Sequence, residues 1–313
     1  MPLKGLLDPA LKIVIFGGKG GVGKTTSASA TALYLARQQY KTLLISTDPA
    51  HSLSDSFECS IGNHITEVQE AKRLSVLEID ADKAFAKFRL EHEPEIRKLF
   101  DTSTGLDEED IESFMSMPIP GIDEVMGFKT IVDIIDEARF EKYVVDTAPT
   151  GHALRLITSP RLFDDWIKVM ARLRWKYRYM ISRFAGEYRP DEADDFLFVM
   201  KKTIRKVQKL LQDKTHSEFI AVTIPEVMAI EETKRFLMQL KKLNVAVKQL
   251  IINNVMESEG CDFCRQRKHS QNACLTVLHQ EFSNLELVTV PLQPTEVKGI
   301  KGLQVIMHHL FSS

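Results

Sequence analysis

Residues 17–26 read Gly17-Gly18-Lys19-Gly20-Gly21-Val22-Gly23-Lys24-Thr25-Thr26. From Gly18 to Thr25 they fill the spacing G-x-x-x-x-G-K-[ST], with a short apolar run before them and a helical pattern, Ser27–Gln38, after. The glycines let the backbone close around phosphate oxygens, so that the N–H groups from Gly18 to Thr26, that of Val22 included, point at the anion. A helix N-terminus at the same place adds its dipole. In this pattern Lys24 reaches the β- and γ-phosphates and the Thr25 hydroxyl ligates magnesium. The chemistry expected is the binding of ATP with Mg2+, and a strand–loop–helix context is what separates this motif from a chance glycine turn.

A second cluster, Cys261-Asp262-Phe263-Cys264, offers two thiolates at a spacing that commonly serves zinc, a metal that takes four ligands. Cys261, Cys264, His269 and Cys274 also match the spacing of a zinc knuckle within one chain. Against the knuckle, its glycines and second aromatic are missing, and His269–Glu281 reads as helix. Such knuckles tend to serve nucleic-acid binding. The formal net charge of -2, from 41 basic and 43 acidic residues, leaves no electrostatic footprint for that partner. A pair of redox-active or idle thiols is the third alternative.

Groups of this kind need a scaffold that brings loops together. Apolar runs rich in Val, Ile and Leu recur at Leu11–Phe16, Thr42–Ser46, Leu74–Ile79, Lys142–Val145, Phe219–Thr223, Val247–Ile252 and Leu287–Val290. Runs apolar on both faces and spaced by helical patterns predict an α/β fold, a mostly parallel sheet flanked by helices. Ligands then sit at the carboxyl ends of the strands. The strand exits carry Asp48, Asp146, Glu226, Asn253 with Asn254, and Pro291 to Thr295. Asp48 is the candidate to aim and polarise a water in line with the γ-phosphate. Asp146 suits a contact to the waters of the magnesium, and Glu226 and Asn253 suit hydrogen bonds to adenine or ribose. Helix capping is the plainer use of any one such residue.

The 313 residues suffice for a large core, and 44% hydrophobic with 27% charged is ordinary for a globular protein. No convincing strand falls in 83–127 or 160–214. Helices are predicted at Ala81–Phe100, Glu108–Met117, Phe128–Arg139, Pro160–Tyr179 and Asp191–Asp213. The expected division is therefore a nucleotide-binding domain of residues 1–82, 128–159 and 215–313, with a helical subdomain of 83–127 and 160–214. Met115, Met117, Met126, Met170, Met180 and Met200 lie in those insertions, with Phe114, Leu162, Phe163, Trp166 and Trp175 nearby. Flexible thioethers adapt to varied apolar partners, yet methionine at helical spacing more often fills a core. The tail Val305–Ser313 is short and lacks a lysine-rich face, so it suits packing on the sheet better than lying on a membrane. The first ten residues do not read as a signal peptide, and a cytoplasmic location is expected.

Taken together, Gly-Lys-Gly-Gly-Val-Gly-Lys-Thr-Thr, the segment from Ser46 to Asp55 and the segment from Asp146 to Arg155 resemble the arsenite-pump ATPase family over residues 11–310, and within it the targeting ATPases for tail-anchored membrane proteins of the guided-entry pathway. The resemblance implies a homodimer, with further assembly into tetramers left open. Lys19 would reach across to the partner's nucleotide, the bland alternative being a solvated lysine. Asp48 would activate water, and Asp48 and Asp146 would lie on mobile switch segments. ATP binding would close the dimer and form a hydrophobic groove from the helical subdomains. That groove would shield a client's transmembrane helix until delivery to a membrane receptor. It also implies that Cys261 and Cys264 share one Zn2+ with the partner chain, Arg267 completing the C-x-x-C-x-x-R pattern; this is the reading favoured over the knuckle. The alternative within the family is the catalytic ATPase of an arsenite efflux pump. The pump's metalloid-binding cysteines lie in its helical region, where this chain has none between Cys59 and Cys261.

Overall fold

The computed structural model describes residues 3–48, 52–101, 122–147, 168, 171–172 and 191–312. Among the described residues eight strands form one sheet: β1 (Ile13–Gly18), β2 (Thr42–Ser46), β3 (Thr66–Glu67), β4 (Leu74–Glu78), β5 (Lys142–Asp146), β6 (Ser217–Thr223), β7 (Val247–Val255) and β8 (Glu286–Pro291). Their order is β3-β4-β2-β5-β1-β6-β7-β8, parallel throughout except for the antiparallel β3 edge. The sheet is thus mostly parallel, as its sequence runs predict. Strands β1, β2, β4, β5 and β6 are buried at every residue, which is why they read as continuous apolar stretches rather than alternating ones. Two-residue β3 is too short to leave any periodicity.

The helices are α1 (Lys24–Arg37), α2 (Ser52–Phe57), α3 (Ala81–Glu91), α4 (Glu93–Asp101), α5 (Ile122–Asp136), α6 (Glu192–Gln212), α7 (Val227–Lys242), α8 (Asp262–Glu281) and α9 (Gly299–Phe311). The single helix expected over Ala81–Phe100 is two, broken at His92. Pro94 explains the break: it has no N–H to donate and its ring clashes with the preceding turn, so it is tolerated only in the first turn of a new helix. The helix placed at His269–Glu281 starts earlier, with Cys261 as its N-cap. The helices expected at Glu108–Met117 and, apart from residues 168 and 171–172, at Pro160–Tyr179 lie outside the described residues.

The chain divides into two compact units, Met1–Asp80 with Ile134–Leu154 and Leu210–Ser313, and Ala81–Asp133 with Arg155–Lys209. The first holds the sheet. Its main core joins Val14 and Phe16 of β1, Val144, Ile220, Val222, Ile251 and Val288 to the α1 and α9 faces. In α9 Ile306, Leu310 and Phe311 are buried while Val305 faces out, and Phe311 stacks on Tyr34 of α1 with centroids 3.8 Å apart. The tail is therefore core, as its composition suggests. At the opposite edge of the strands, Lys142 Nζ donates to the carbonyls of Leu6, Asp8 and Leu11, which moors the N-terminal segment beneath the sheet.

The second unit is helical in its described residues. Phe88 of α3 and Phe196 of α6 meet with ring centroids 5.9 Å apart, and Met126 and Met200 are buried. These two methionines fill core space; Met115, Met117, Met170 and Met180 lie outside the described residues, with Phe114, Leu162, Phe163, Trp166 and Trp175. Leu90, Phe198 and Val199 are large apolar side chains left 75%, 71% and 51% exposed. Among the described residues no helix is long and apolar enough to cross a membrane.

Candidate functional site

The glycine loop leaves β1 at its carboxyl end and runs into α1, whose N-terminus carries no side-chain cap from Gly23. Two glycines are demanded by geometry. Gly23 has φ +93, and a Cβ there would run into the Asn253 side-chain amide. At Gly18 the obstacle would be the carbonyl oxygen of Val222 on the neighbouring β6. Asn253 Nδ2 in turn donates to the Val22 carbonyl at 2.9 Å, so the loop is fastened to the end of β7. Lys24 is buried, and its Nζ donates to the Lys19 carbonyl at 3.2 Å. Burial holds the Lys24 ammonium below its usual range, opposed by the charges of Asp146 and Asp48.

Asp146 ends β5, paired in register with Ser46 of β2 and Phe16 of β1. It is fully buried. Its Oδ2 accepts from the Thr25 hydroxyl at 2.7 Å and from Ser46 Oγ at 3.4 Å, and Ser46 Oγ also accepts the Asp48 N–H at 3.1 Å. Its Oδ1 is buried without a hydrogen-bond partner among the described residues. Desolvation pushes the carboxyl up to about 7, against the pull of Thr25 and Lys24 and with a push from Asp48. A desolvated carboxylate with one oxygen on the Thr25 hydroxyl and the other unmatched fits the hydrated side of a magnesium ion, whose bound waters are donors. The residues present therefore suit Mg2+ at Thr25 with Asp146 behind it. When bound, that ion neutralises phosphate charge as it develops on the oxygens being displaced.

A cleft of about 440 Å³ opens over these groups. It is lined by Gly20, Gly21, Gly23, Lys24, Thr25 and Thr26 of the loop, by Asp48, by Asn253 and Asn254, and by residues of the segment from Pro291 to Lys298. Asp48, Lys24 and Thr25, inferred separately from spacing and strand ends, thus line one cleft. Asp55 and Ser56 of α2 also line the cleft, as do Glu296, Val297 and Lys298; sequence reading had assigned these no role. Asp55 closes the segment from Ser46 that carries the family resemblance, which is the signal that could have found it. The α2 segment is held from behind by buried Glu78, whose Oε1 accepts from the Leu53 and Ser54 amides at 3.0 and 3.2 Å.

Two of the sequence candidates sit elsewhere. The Lys19 ammonium is part-exposed and lies 4.0 Å from Glu232 of α7. Glu226 is the residue before α7; it is not among the cleft-lining residues, and its carboxylate faces Arg267 at 3.6 Å. The thiols of Cys261 and Cys264 lie 3.0 Å apart at the start of α8, where the Cys264 amide donates to Cys261 Sγ. Hydrogen bonds from Cys264, thiol and amide, favour the Cys261 thiolate, and the Cys264 thiol is raised by the same pairing. The knuckle does not form. Cys264, His269 and Cys274 ride one unbroken helix whose ten-residue span rises about 15 Å, and Cys274 is buried beside Leu278. Among the described residues no three His, Cys, Asp or Glu side chains gather as a metal set.

A glycine loop between a central parallel strand and a helix, with Lys24, Thr25 and a buried Asp at the neighbouring strand end, defines a P-loop nucleoside triphosphatase. Residues 11–312 match the anion-transporting ATPase family, so the chain belongs to that family and is an ATPase. It is 34% identical over 315 residues to ATPase ASNA1 homolog 2 of Paramecium tetraurelia, covering 96% of this chain and 94% of that one. It is also 34% identical to ATPase GET3B of Arabidopsis thaliana, over 94% of this chain and 77% of the relative. A protein of Aquifex aeolicus named as an arsenical pump-driving ATPase is likewise 34% identical, over 94% of this chain and 97% of its own length.

Proposed function

We propose that this ATPase is a cytoplasmic targeting factor that shields the transmembrane helix of tail-anchored proteins in a hydrophobic groove and hands them to a membrane receptor. In this role it works as a homodimer. ATP with Mg2+ binds in the cleft through the loop from Gly18 to Thr26, and Asp48 aims the attacking water. Support comes from the resemblance carried by the segments from Ser46 to Asp55 and from Asp146 to Arg155, and from relatives named as ASNA1 and GET3 ATPases. The observation that carries the client-binding half is the family resemblance of those two segments; Leu90, Phe198 and Val199, exposed on the helical unit, are the described apolar side chains that an incoming helix could meet.

Cys261 and Cys264 supply two of the four ligands zinc prefers. Their place at the head of α8, close together and with no third ligand among the described residues, suits a Zn2+ completed by the same pair of a second copy. Lys19, part-exposed beside the cleft, suits a reach toward that copy's nucleotide.

The second reading is the ATPase of an arsenical pump, favoured by the name of the Aquifex relative. Co-expression with a tail-anchored protein separates the two. The targeting reading expects a soluble complex that is weakened several-fold when Leu90 and Phe198 are both changed to Asp. ATP turnover stimulated only by arsenite, with no apolar helix captured, would replace it with the pump.

A further inference from the structure

Gln271 sits midway along α8, on the face that packs against the sheet together with Cys274 and Leu278. It is 4% exposed. An amide in such a place is costly unless both its ends are matched. They are matched, and by backbone: Oε1 accepts from the Met256 N–H at 2.7 Å, and Nε2 donates to the Asn254 carbonyl at 3.1 Å. Asn254 belongs to the irregular end of β7 and Met256 directly follows the strand; there the pairing with β8 shifts between Ile252 and Val255 and Asn254 takes φ +58. Backbone groups there have left the regular ladder, and Gln271 replaces part of what the ladder no longer supplies.

The kink matters because of what precedes it. Asn253 and Asn254 both line the cleft, and Asn253 Nδ2 grips the Val22 carbonyl of the glycine loop. A relay of side-chain hydrogen bonds thus runs from α8 through the end of β7 to the phosphate loop. We infer that Gln271 is a positioning residue for nucleotide binding. It touches no ligand. It clamps the left-handed kink that directs Asn253 at the loop, and so ties the helix headed by the Cys261–Cys264 pair to the nucleotide pocket. This rests on the nucleotide reading of the cleft, which the wild-type arm below tests by itself.

The experiment is calorimetric titration of the full chain with MgADP, for wild type, Gln271→Met and Gln271→Glu. Methionine keeps the volume and removes both hydrogen bonds. The glutamate variant keeps an acceptor for the Met256 amide and loses the donor to Asn254. Gln271→Met should bind MgADP about tenfold more weakly, which is about 1.4 kcal/mol, with Gln271→Glu between it and wild type. In turnover the KM for ATP should rise by more than kcat falls, the mark of lost ground-state binding. A role confined to stability would lower the melting temperature and leave the affinity of the folded molecules unchanged. Should Gln271→Met fail to fold, Gln271→Glu carries the test. A folded variant that binds MgADP as tightly as wild type overturns the inference. Wild type that binds none overturns the nucleotide reading, and the inference with it.

Discussion

Two parts of the cleft lining, the phosphate loop and the segments brought to it from elsewhere in the chain, are built on different principles. Around the phosphate loop most groups are contiguous in sequence: Gly18 to Thr26 fold as one loop, joined by Asp146 and Asp48 from the adjoining strand ends and by Asn253 from β7. The rest of the lining is assembled from the close of β7, the exit of β8 and helix α2, the most distant of them more than two hundred residues apart in the chain, and held by side chains such as Asn253 and Gln271. Beside the loop the charged groups Lys24 and Asp146 are buried, and the Thr25 hydroxyl donates to the carboxyl. The remaining lining carries charge too, in Asp55, Glu296 and Lys298, but Glu296 and Lys298 pair at 2.9 Å with both side chains exposed. The difference is one of burial: charges beside the loop are desolvated and those farther along the chain are not.

Asp48→Asn should show the largest effect. A water-aiming carboxylate contributes about 10²–10⁴ in rate, so turnover should fall by that factor while MgADP affinity stays near wild type. Steady-state ATPase assays beside equilibrium binding read both; ordinary turnover in this variant would remove Asp48 from the reaction.

Asp146→Asn separates holding from stability. The folded carboxyl is raised to about 7 from an ordinary 3.8. The stability it contributes is therefore complete below the lower value and is lost as pH rises through the upper one, because the unfolded chain binds fewer protons in that window. Asparagine carries no such dependence. Thermal melts without nucleotide should find Asp146→Asn gaining on wild type as pH climbs from about 4 to 7, by a few degrees at most scales expected for a protein of this size, and level above that. Its kcat/KM with Mg-ATP should drop about 10–100-fold, as for residues that orient the surroundings of a metal. A pH-independent gap would show that Asp146 is ionised throughout.

Glu226→Gln marks the small end of the scale. Its part-exposed pairing with Arg267 is of the kind worth about 0–1 kcal/mol, and it lies off the cleft lining. MgADP affinity should change less than about twofold; a tenfold loss would bring Glu226 to the nucleotide after all.

This contrast also explains what could be read in the sequence. The sheet was legible because its strands are buried on both faces and announce themselves as unbroken Val, Ile and Leu runs. The phosphate loop was legible because its function depends on local spacing. The strand-end rule located Asp48, Asp146 and Asn253, since register in a parallel sheet brings those ends together. It also nominated Glu226, which turns instead toward α8, because the rule fixes where a residue lies and says nothing of where its side chain points. Gln271 carried no signal at all. A glutamine within a helix is ordinary, and only the bulge at Asn254 gives it a task. The break at His92 was visible in Pro94 and was overridden by the apolar pattern around it.

The central claim is that one ammonium and a ring of backbone amides grip a polyphosphate. Equilibrium dialysis of MgADP against the folded chain, beside Lys24→Ala, tests it most directly. Saturation at one nucleotide per chain in wild type, with binding lost in Lys24→Ala while its melting temperature is kept, is the predicted result. Equal binding by the two proteins, or none by the wild type, would contradict it.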